Sequence, residues 1–193
     1  MKVSAYYPLH YGKEYLEASL KSVVPYVDEV LILYTDRPSY GQGTHLANPD
    51  SKDELIAIVE DTAHTFRWVD IPQTYQENVH RQMHKRYLED SDLIVAVDAD
   101  EVWEDIDEAI KAAWDSKAKN VGVGGDCWYH FWRSFNEVNR DGFYPIRFHN
   151  KHANKDSEII HTGKVYHSGH AQSVAITKYK ISCHGHKSIP GSW

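Results

Sequence analysis

The sequence predicts an α/β protein whose mostly parallel sheet carries helices on both faces. In the first hundred residues, short apolar runs alternate with segments whose apolar residues recur at helical spacing. The runs at 29–34 and 93–97 are almost continuously apolar, which is typical of strands buried on both faces. Strands that alternate with helices form parallel sheets, and such sheets bind ligands at the carboxyl ends of their strands.

The predicted elements follow one another in the order β-α-β-α-β-α-β. The four strands are expected at residues 3–7, 29–34, 66–71 and 93–97. The first helix begins at Glu14, where apolar residues start to recur at helical spacing, and it stops before Pro25. The second helix begins at Ser51, because Ser51 and Glu54 have the spacing of a capping box.

The third helix, 76–88, precedes the last of these strands, and a further helix follows residue 104. The core-facing residues of the third helix are predicted to be Val79, Met83 and Tyr87. Those of the further helix are predicted to be Ile106, Ile110, Ala113 and Trp114. His80 and His84 stand four residues apart but lack the Glu of a zinc-protease motif, so their spacing is interpreted as incidental.

Beyond Val121 the helix–strand alternation gives way to short aromatic segments, and we expect an irregular C-terminal part. The chain has no internal repeat or low-complexity linker, which indicates one domain over residues 1–193 with an α/β half, 1–104, and a second half, 105–193. Seven of the 13 histidines lie in the last quarter of the chain.

Composition excludes several classes of function. The net charge of -7 and the pI near 6.0 argue against a broad electrostatic contact with nucleic acid or an anionic membrane. No apolar run is long enough to span a bilayer, and the N-terminus lacks the apolar core of a signal peptide. Two cysteines, Cys127 and Cys183, cannot form a disulfide framework. We therefore expect a cytoplasmic globular protein.

The strongest local motif is Asp98-Ala-Asp100-Glu101, directly after the predicted strand 93–97. Three carboxylates at the end of a buried strand repel one another unless a cation lies among them. A hard divalent ion prefers oxygen ligands, and the phosphates of a ligand complete its coordination shell. The alternative interpretation is that Asp98 or Asp100 only caps the helix that begins near Asp105. The position after a buried strand favours the metal site.

The ordered set of motifs resembles the GT-A glycosyltransferases, in particular the inverting family 2 and its bacterial and bacteriophage relatives. The resemblance covers residues 2–104 well and 149–187 loosely. The matching segments are Tyr6-Tyr7-Pro8, the helix pattern from Glu14 to Val23, Asp36 after the second strand, Asn78 and Arg81 in the third helix, and Asp98-Ala-Asp100.

The resemblance implies a metal-dependent glycosyltransferase that takes its sugar from a nucleotide-sugar, most simply a UDP-sugar, and transfers it to a carbohydrate or another hydroxyl acceptor. Residues 1–104 would bind the sugar donor, and residues 105–193 would bind the acceptor and complete the metal site. The implied donor-binding residues are Tyr7, Pro8, Asp36, Asn78, Arg81 and Asp98. The implied ligands of Mn²⁺ or Mg²⁺ are Asp98, Asp100 and His167.

The catalytic base is less well defined, because the family's Glu-Asp doublet is absent after the aspartate motif. Asp126 is the candidate, with Glu158 as its rival, since Asp126 begins an aromatic segment that could stack an acceptor. Two other classes remain open: a sugar-phosphate nucleotidyltransferase and a non-catalytic nucleotide-sugar-binding module. A nucleotidyltransferase usually has a Gly-rich basic loop after the first strand, and residues 7–11 contain none.

Overall fold

The computed structural model describes residues 1–40, 42–72, 75–131, 138–139, 145–169 and 171–183. The strands are β1 (Val3–Leu9), β2 (Glu29–Tyr34), β3 (Phe66–Asp70), β4 (Leu93–Ala96), β5 (Glu101–Glu104), β6 (Ala118–Val123), β7 (Trp128–Phe131), β8 (Val138–Asn139), β9 (Ile146–Asn150), β10 (Lys155–Ile160) and β11 (Lys164–His167). The helices are α1 (Lys13–Val23), α2 (Lys52–Thr62), α3 (Glu77–Gln82), α4 (His84–Tyr87), α5 (Ile106–Asp115) and α6 (Val174–Cys183), and a short 3-10 helix covers Val24–Tyr26.

The central sheet has seven strands in the order β10-β6-β9-β4-β1-β2-β3. The pairs β1–β2, β1–β4 and β2–β3 are parallel, as the alternation of strands and helices predicts. Strand β9 runs antiparallel to both β4 and β6, and β10 pairs with β6 in parallel. Among the described strands of this sheet, β9 is therefore the one that runs opposite to the other six, and the predicted fold class is confirmed.

The core has two layers, one on each face of the sheet. In β1, Ala5 and Tyr7 point into the larger layer, which also contains buried residues of α1, α2 and α5. Tyr6 points to the other face, where it packs with Leu33 and the α3–α4 segment. This alternation follows from the two-residue period of a strand, and it places helices on both faces as predicted.

Local signals up to the end of α5 match the structure closely. Helix α2 begins after Ser51, and both hydrogen bonds of the capping box with Glu54 are present. Helix α5 buries Ile106, Ile110 and Ala113, as its periodicity predicts. Neither aspartate of the 98–101 motif caps α5, because strand β5 separates the motif from this helix.

The predicted third helix differs from the observed segment. It is divided at Met83 into α3 and α4, and its buried residues include His80 and His84, whereas Val79 is exposed. The imidazole of His80 lies 3.2 Å from the carbonyl oxygen of Leu33. The ring of His84 stacks at 4.2 Å on that of Tyr6. The prediction that Val79 faces the core was therefore wrong, since ring contacts and a hydrogen bond turn the histidines inward.

The second half of the chain is more regular than the sequence indicates. Besides extending the central sheet, it forms most of a second sheet in the order β5-β11-β7-β8, and it ends in α6 within the described residues. Helix α6 was not predicted. Among the described residues, no helix is both long and apolar enough to cross a membrane, and no disulfide joins Cys127 to Cys183.

Candidate functional site

The candidate site lies where β4 ends, at the carboxyl edge of the parallel strands. Asp98, Asp100 and Glu101, here called the carboxylate cluster, follow β4, and the backbone N–H of Glu101 donates to the carbonyl of Asp98 (3.0 Å). Gly12 packs against this turn with a φ of 141°, and a Cβ at this position would lie 2.6 Å from the Cβ of Ala99. The close approach of the chain after β1 to the carboxylate cluster therefore requires glycine.

Two arginines hold Asp98. Arg81 of α3 donates to both of its oxygens (2.8 and 3.4 Å), and Arg147 of β9 donates to Oδ2 (3.2 Å). Burial acts to raise the pKa of Asp98, but the two guanidinium groups outweigh burial and hold that pKa below its ordinary value. Asp98 is therefore ionised at neutral pH, with both oxygens paired to cations of the chain.

Glu101 is fully buried. One carboxylate oxygen accepts a hydrogen bond from Arg147, and the other accepts from the backbone N–H of Asp98 (3.2 Å). Burial raises the pKa of Glu101 to about 7, although Arg147 acts in the opposite direction. The guanidinium of Arg147 thus bridges Asp98 and Glu101, and it also lies 5.0 Å from the ring centre of Trp128.

Asp100 is held by a different set of side chains. Lys180 of α6 donates from Nζ to Oδ2 (3.0 Å), and the amide of Gln172 donates to the same oxygen (3.1 Å). The Nε2 atom of His167 lies 3.3 Å from Oδ1. Burial acts to raise the pKa of Asp100, but Lys180 and His167 outweigh it and hold the pKa well below its ordinary value.

His167 ends β11 beside the carboxylate cluster. Burial acts to lower its pKa, but the carboxylates of Asp100 and Glu101 outweigh burial and raise it. Its ring lies 4.5 Å from that of His130, its partner in the β7–β11 pairing. Gly169 follows closely, and a Cβ on Gly169 would lie 2.6 Å from Nε2 of His130. Two imidazoles and a glycine therefore pack tightly at this end of the second sheet.

Helix α6 is attached across the carboxyl edge of the central sheet. The Nδ1 atom of His10 lies 2.7 Å from the carbonyl of Thr35, which can only accept, so Nδ1 carries the proton. Nε2 of His10 then accepts from the hydroxyl of Tyr179 (2.8 Å). Thr44 donates to Ser182 on the same helix (2.7 Å). These contacts tie α6 to the loops after β1 and β2, and they position Lys180.

The site does not fit a metal ion held by three protein side chains. The sequence predicts that a cation must lie within the carboxylate cluster, and the chain itself supplies Arg81, Arg147 and Lys180 there. Of the predicted ligands, Asp100 and His167 are in contact, whereas both oxygens of Asp98 are paired with the arginines. Among the residues that the structure describes, no group of three or more His, Cys, Asp or Glu side chains is placed to hold a metal. Mn²⁺ or Mg²⁺ stays a prediction.

The other predicted donor-binding residues differ in their exposure to solvent. Tyr7 is fully buried, and its hydroxyl accepts from Ser19 (3.3 Å), so its side chain has no surface for a ligand. Pro8 is half-buried in β1. Asp36 is exposed beyond the carboxyl end of β2, and Asn78 is exposed on the first turn of α3. Asp36 thus lies at the edge where a ligand is expected, and Tyr7 belongs to the core.

The two candidates for a catalytic base lie away from the carboxylate cluster. Asp126 precedes β7, where its carboxylate contacts His161 (2.8 Å). His130, near the other end of β7, is the residue of this strand that lies beside His167. Glu158 is on the edge strand β10, three strand spacings or about 14 Å from β4, and it pairs with Lys155. The structure therefore brings neither carboxylate to the aspartates.

Sequence reasoning missed Arg147, Lys180 and Gln172. For Arg147 a signal existed, because a charged residue between Ile146 and Phe148 in an apolar strand must find a partner when buried. For Lys180 there was none. Residues 174–183 mix polar and apolar side chains without a helical period, so neither the helix nor its inward lysine is visible in the sequence.

No protein-family model and no curated protein matches this chain. Among solved structures, it is similar to S. aureus TarS 1-349, with a TM-score of 0.47 and 13% identity over 72% of this chain and 38% of that one. It is also similar to HddC from Yersinia pseudotuberculosis, with a TM-score of 0.47 and 7% identity over 98% of this chain and 87% of that one. The chain therefore spans well under half of the TarS structure. At such TM-scores these similarities say nothing about function, which must be inferred from the site.

Proposed function

We propose that this protein is a glycosyltransferase that moves a sugar from a nucleotide-sugar, most simply a UDP-sugar, to a hydroxyl group of a carbohydrate or another acceptor. One observation carries the proposal. Asp98 and Asp100 lie at the carboxyl end of β4, beside the carboxyl ends of parallel neighbours, and the cations Arg81 and Lys180 contact them there. Ligands of parallel α/β sheets bind at this edge.

The mixture of charges suits a nucleotide-sugar. Such a molecule joins sugar and ribose hydroxyls to a diphosphate. Carboxylates accept hydrogen bonds from hydroxyl groups, whereas guanidinium and ammonium groups bind phosphate oxygens. A site with only carboxylates would repel the diphosphate, and a site with only cations would not distinguish a nucleotide-sugar from other phosphates. Asp36, exposed beyond β2, is the proposed contact for the nucleotide base.

The proposed reaction is the attack of an acceptor oxygen on the anomeric carbon. The bond between this carbon and the diphosphate oxygen breaks, and negative charge develops on the departing nucleoside diphosphate. Arg81 and Lys180 are placed to stabilise this charge, and pre-positioned charges in a partly dry site are among the strongest contributions to catalysis. The acceptor's proton requires a base, for which Asp126 remains only the sequence's candidate.

The loop after β1 argues against a nucleotidyltransferase. Such enzymes hold phosphate with backbone N–H groups and a basic side chain of a Gly-rich loop. Here the N–H groups of Gly12 and Lys13 both donate to Asp50 (2.7 and 2.9 Å). Nζ of Lys13 pairs with Glu54. These N–H groups and this lysine are therefore already used within the protein.

Turnover of a panel of nucleotide-sugars tests the proposal. We expect wild-type protein to release free nucleoside diphosphate from one of them, slowly with water and faster with mixed saccharide acceptors. Asp100→Asn should lower the rate by about 100-fold, because Lys180 loses the carboxylate that positions it, and one lost electrostatic contact to the leaving group costs about that much. Asp156→Asn is the matched control, because Asp156 is almost fully exposed on β10. A wild-type rate in Asp100→Asn, or no turnover of any nucleotide-sugar, would contradict the proposal.

A further inference from the structure

We infer that the chain's own cations, Lys180 and Arg81, neutralise the diphosphate of the sugar donor, so that nucleoside diphosphates bind without a divalent metal ion. The inference rests on the proposed function, and it departs from the metal dependence that the sequence predicts. The reason for expecting a metal was repulsion within the carboxylate cluster. In the folded chain that repulsion is relieved by three basic side chains, Arg81, Arg147 and Lys180.

Asp100 is the carboxylate on which a metal would depend most, and its oxygens are already engaged. Lys180 and Gln172 donate to Oδ2, at 3.0 and 3.1 Å, and His167 approaches Oδ1 at 3.3 Å. The ammonium group of Lys180 thus already supplies, beside Asp100, the positive charge that a metal ion was expected to bring. The side chain of Lys180 is only 11% exposed, so water screens its charge weakly.

Lys180 is held in place by the fold. Its Nζ atom also donates to the carbonyl of Gly169 (2.6 Å), and α6 is tied to the rest of the chain through Tyr179 and Ser182. An ammonium group has three N–H donors, and two of them have acceptors among the described residues. The third is the donor that we assign to a phosphate oxygen.

Arg81 supplies the second charge. Its guanidinium contacts Asp98 and, through Nε, Glu77 (3.1 Å), but its side chain is 39% exposed. Arg147 contacts the same aspartate but is nearly buried, so we assign it to holding Asp98 and Glu101 rather than to the ligand. Lys180 and Arg81 belong to α6 and α3, and each contacts one aspartate of the motif. A diphosphate between them would meet a positive charge on each side.

Metal-free binding of a nucleoside diphosphate can be tested with the wild-type protein alone. We expect titration calorimetry to give the same affinity for UDP, GDP or CDP, whichever binds, in excess EDTA and in saturating Mn²⁺. Binding that appears only with Mn²⁺ would overturn the inference and leave the glycosyltransferase proposal standing. If no nucleoside diphosphate binds with or without Mn²⁺, the proposed function fails and the inference fails with it.

Variants of Lys180 test whether its ammonium group is the charge that binds the diphosphate. Lys180→Met should weaken nucleoside diphosphate binding in EDTA by about ten-fold or more, the scale of one charge-assisted hydrogen bond. Because this change frees Asp100 from its ammonium partner, Mn²⁺ should restore part of the affinity of Lys180→Met while leaving wild type unaffected. Lys180→Arg should retain binding in EDTA. Lys178→Met is the matched control, since Lys178 is exposed on the same helix. Wild-type affinity in folded Lys180→Met would overturn the inference.

Discussion

The two halves of the molecule contribute different parts of the same site. The first half, β1 to β4 with its helices, supplies Asp98 and Asp100 from a motif of neighbouring residues. The second half supplies most of their partners, including Arg147 from β9 and Lys180 from α6, which lies 80 residues from Asp100. A short motif therefore reveals the carboxylates of the site but not the groups that determine what those carboxylates do.

This difference changes how the motif should be interpreted. Three adjacent carboxylates imply a nearby positive charge, and that requirement follows from electrostatics alone. Electrostatics does not say whether the charge is a metal ion or a side chain from elsewhere in the chain. If the second half stabilises the carboxylate cluster, removing its basic residues must destabilise the fold, and local changes in the first half must cost much less.

The largest effect is expected for Arg147→Leu. This change leaves Glu101 fully buried without its cation and removes one of the two arginines on Asp98. Breaking a buried ion pair in this way costs about 3–5 kcal/mol of the free energy of unfolding. Urea denaturation followed by circular dichroism measures the loss.

Two further variants make the Arg147 result specific. Arg37→Leu removes an exposed arginine that pairs with the exposed Asp36 (3.6 Å), and it should change the free energy of unfolding by less than about 1 kcal/mol. Glu101→Gln combined with Arg147→Leu should recover part of the loss, because no buried carboxylate then remains at residue 101. Equal stability of Arg147→Leu and Arg37→Leu would show that the second half does not stabilise the carboxylate cluster.

The sequence predicts what depends on neighbouring residues and misses what depends on distant ones. The capping box of Ser51 and Glu54 and the buried strand β4 were both predicted, because each is set by a few adjacent side chains. The inward turn of His80 and His84 was not, because it depends on Leu33 and Tyr6, which are far away in sequence. Propensity and periodicity contain no information on such contacts.

The same limit applies to the site. The aspartates were located correctly at the carboxyl end of the fourth strand. Their ion pairs with Arg147 and Lys180 arise only when β9 and α6 are packed against that strand's end. Tyr7 is a further example: the resemblance to a motif places it at the ligand, but the two-residue period of β1 turns it into the core with Ala5.

A smaller loss of stability is expected at acidic pH, where His149 of β9 becomes protonated. Burial, with help from the neighbouring His84, lowers the pKa of His149 from 6.5 to about 4. A folded-state pKa below the unfolded value means that the unfolded chain binds the proton first as pH falls. The stability contributed by neutral His149 is therefore complete above pH 6.5 and is lost between pH 6.5 and about 4, by about 3 kcal/mol in total.

Comparison with His149→Gln isolates this contribution. Glu101 acts in the opposite direction over the same interval, because its raised pKa of about 7 makes the folded state bind a proton first. Because both proteins contain Glu101, its contribution cancels when the free energy of unfolding of the variant is subtracted from that of wild type at each pH. The free energy of unfolding of wild type, minus that of His149→Gln, should fall by about 3 kcal/mol as the pH is lowered from 6.5 to about 4. Parallel profiles would mean that the fold does not lower the pKa of His149.

The smallest effect is expected for Ser51→Ala in the first half. The Ser51 hydroxyl accepts a hydrogen bond from the backbone N–H of Glu54, and the backbone N–H of Ser51 donates to the carboxylate of Glu54 (3.2 Å). Loss of an N-cap hydroxyl costs about 1 kcal/mol, since one N–H at the start of α2 then depends on water. Ser157→Ala, at an exposed position of β10, is the matched control and should change stability by less than about 0.5 kcal/mol. Urea denaturation of both variants and of Arg147→Leu, measured side by side, compares how much each half of the chain contributes to the free energy of unfolding. If Ser51→Ala cost as much as Arg147→Leu, the local contacts of the first half would stabilise the fold as strongly as the ion pairs from the second.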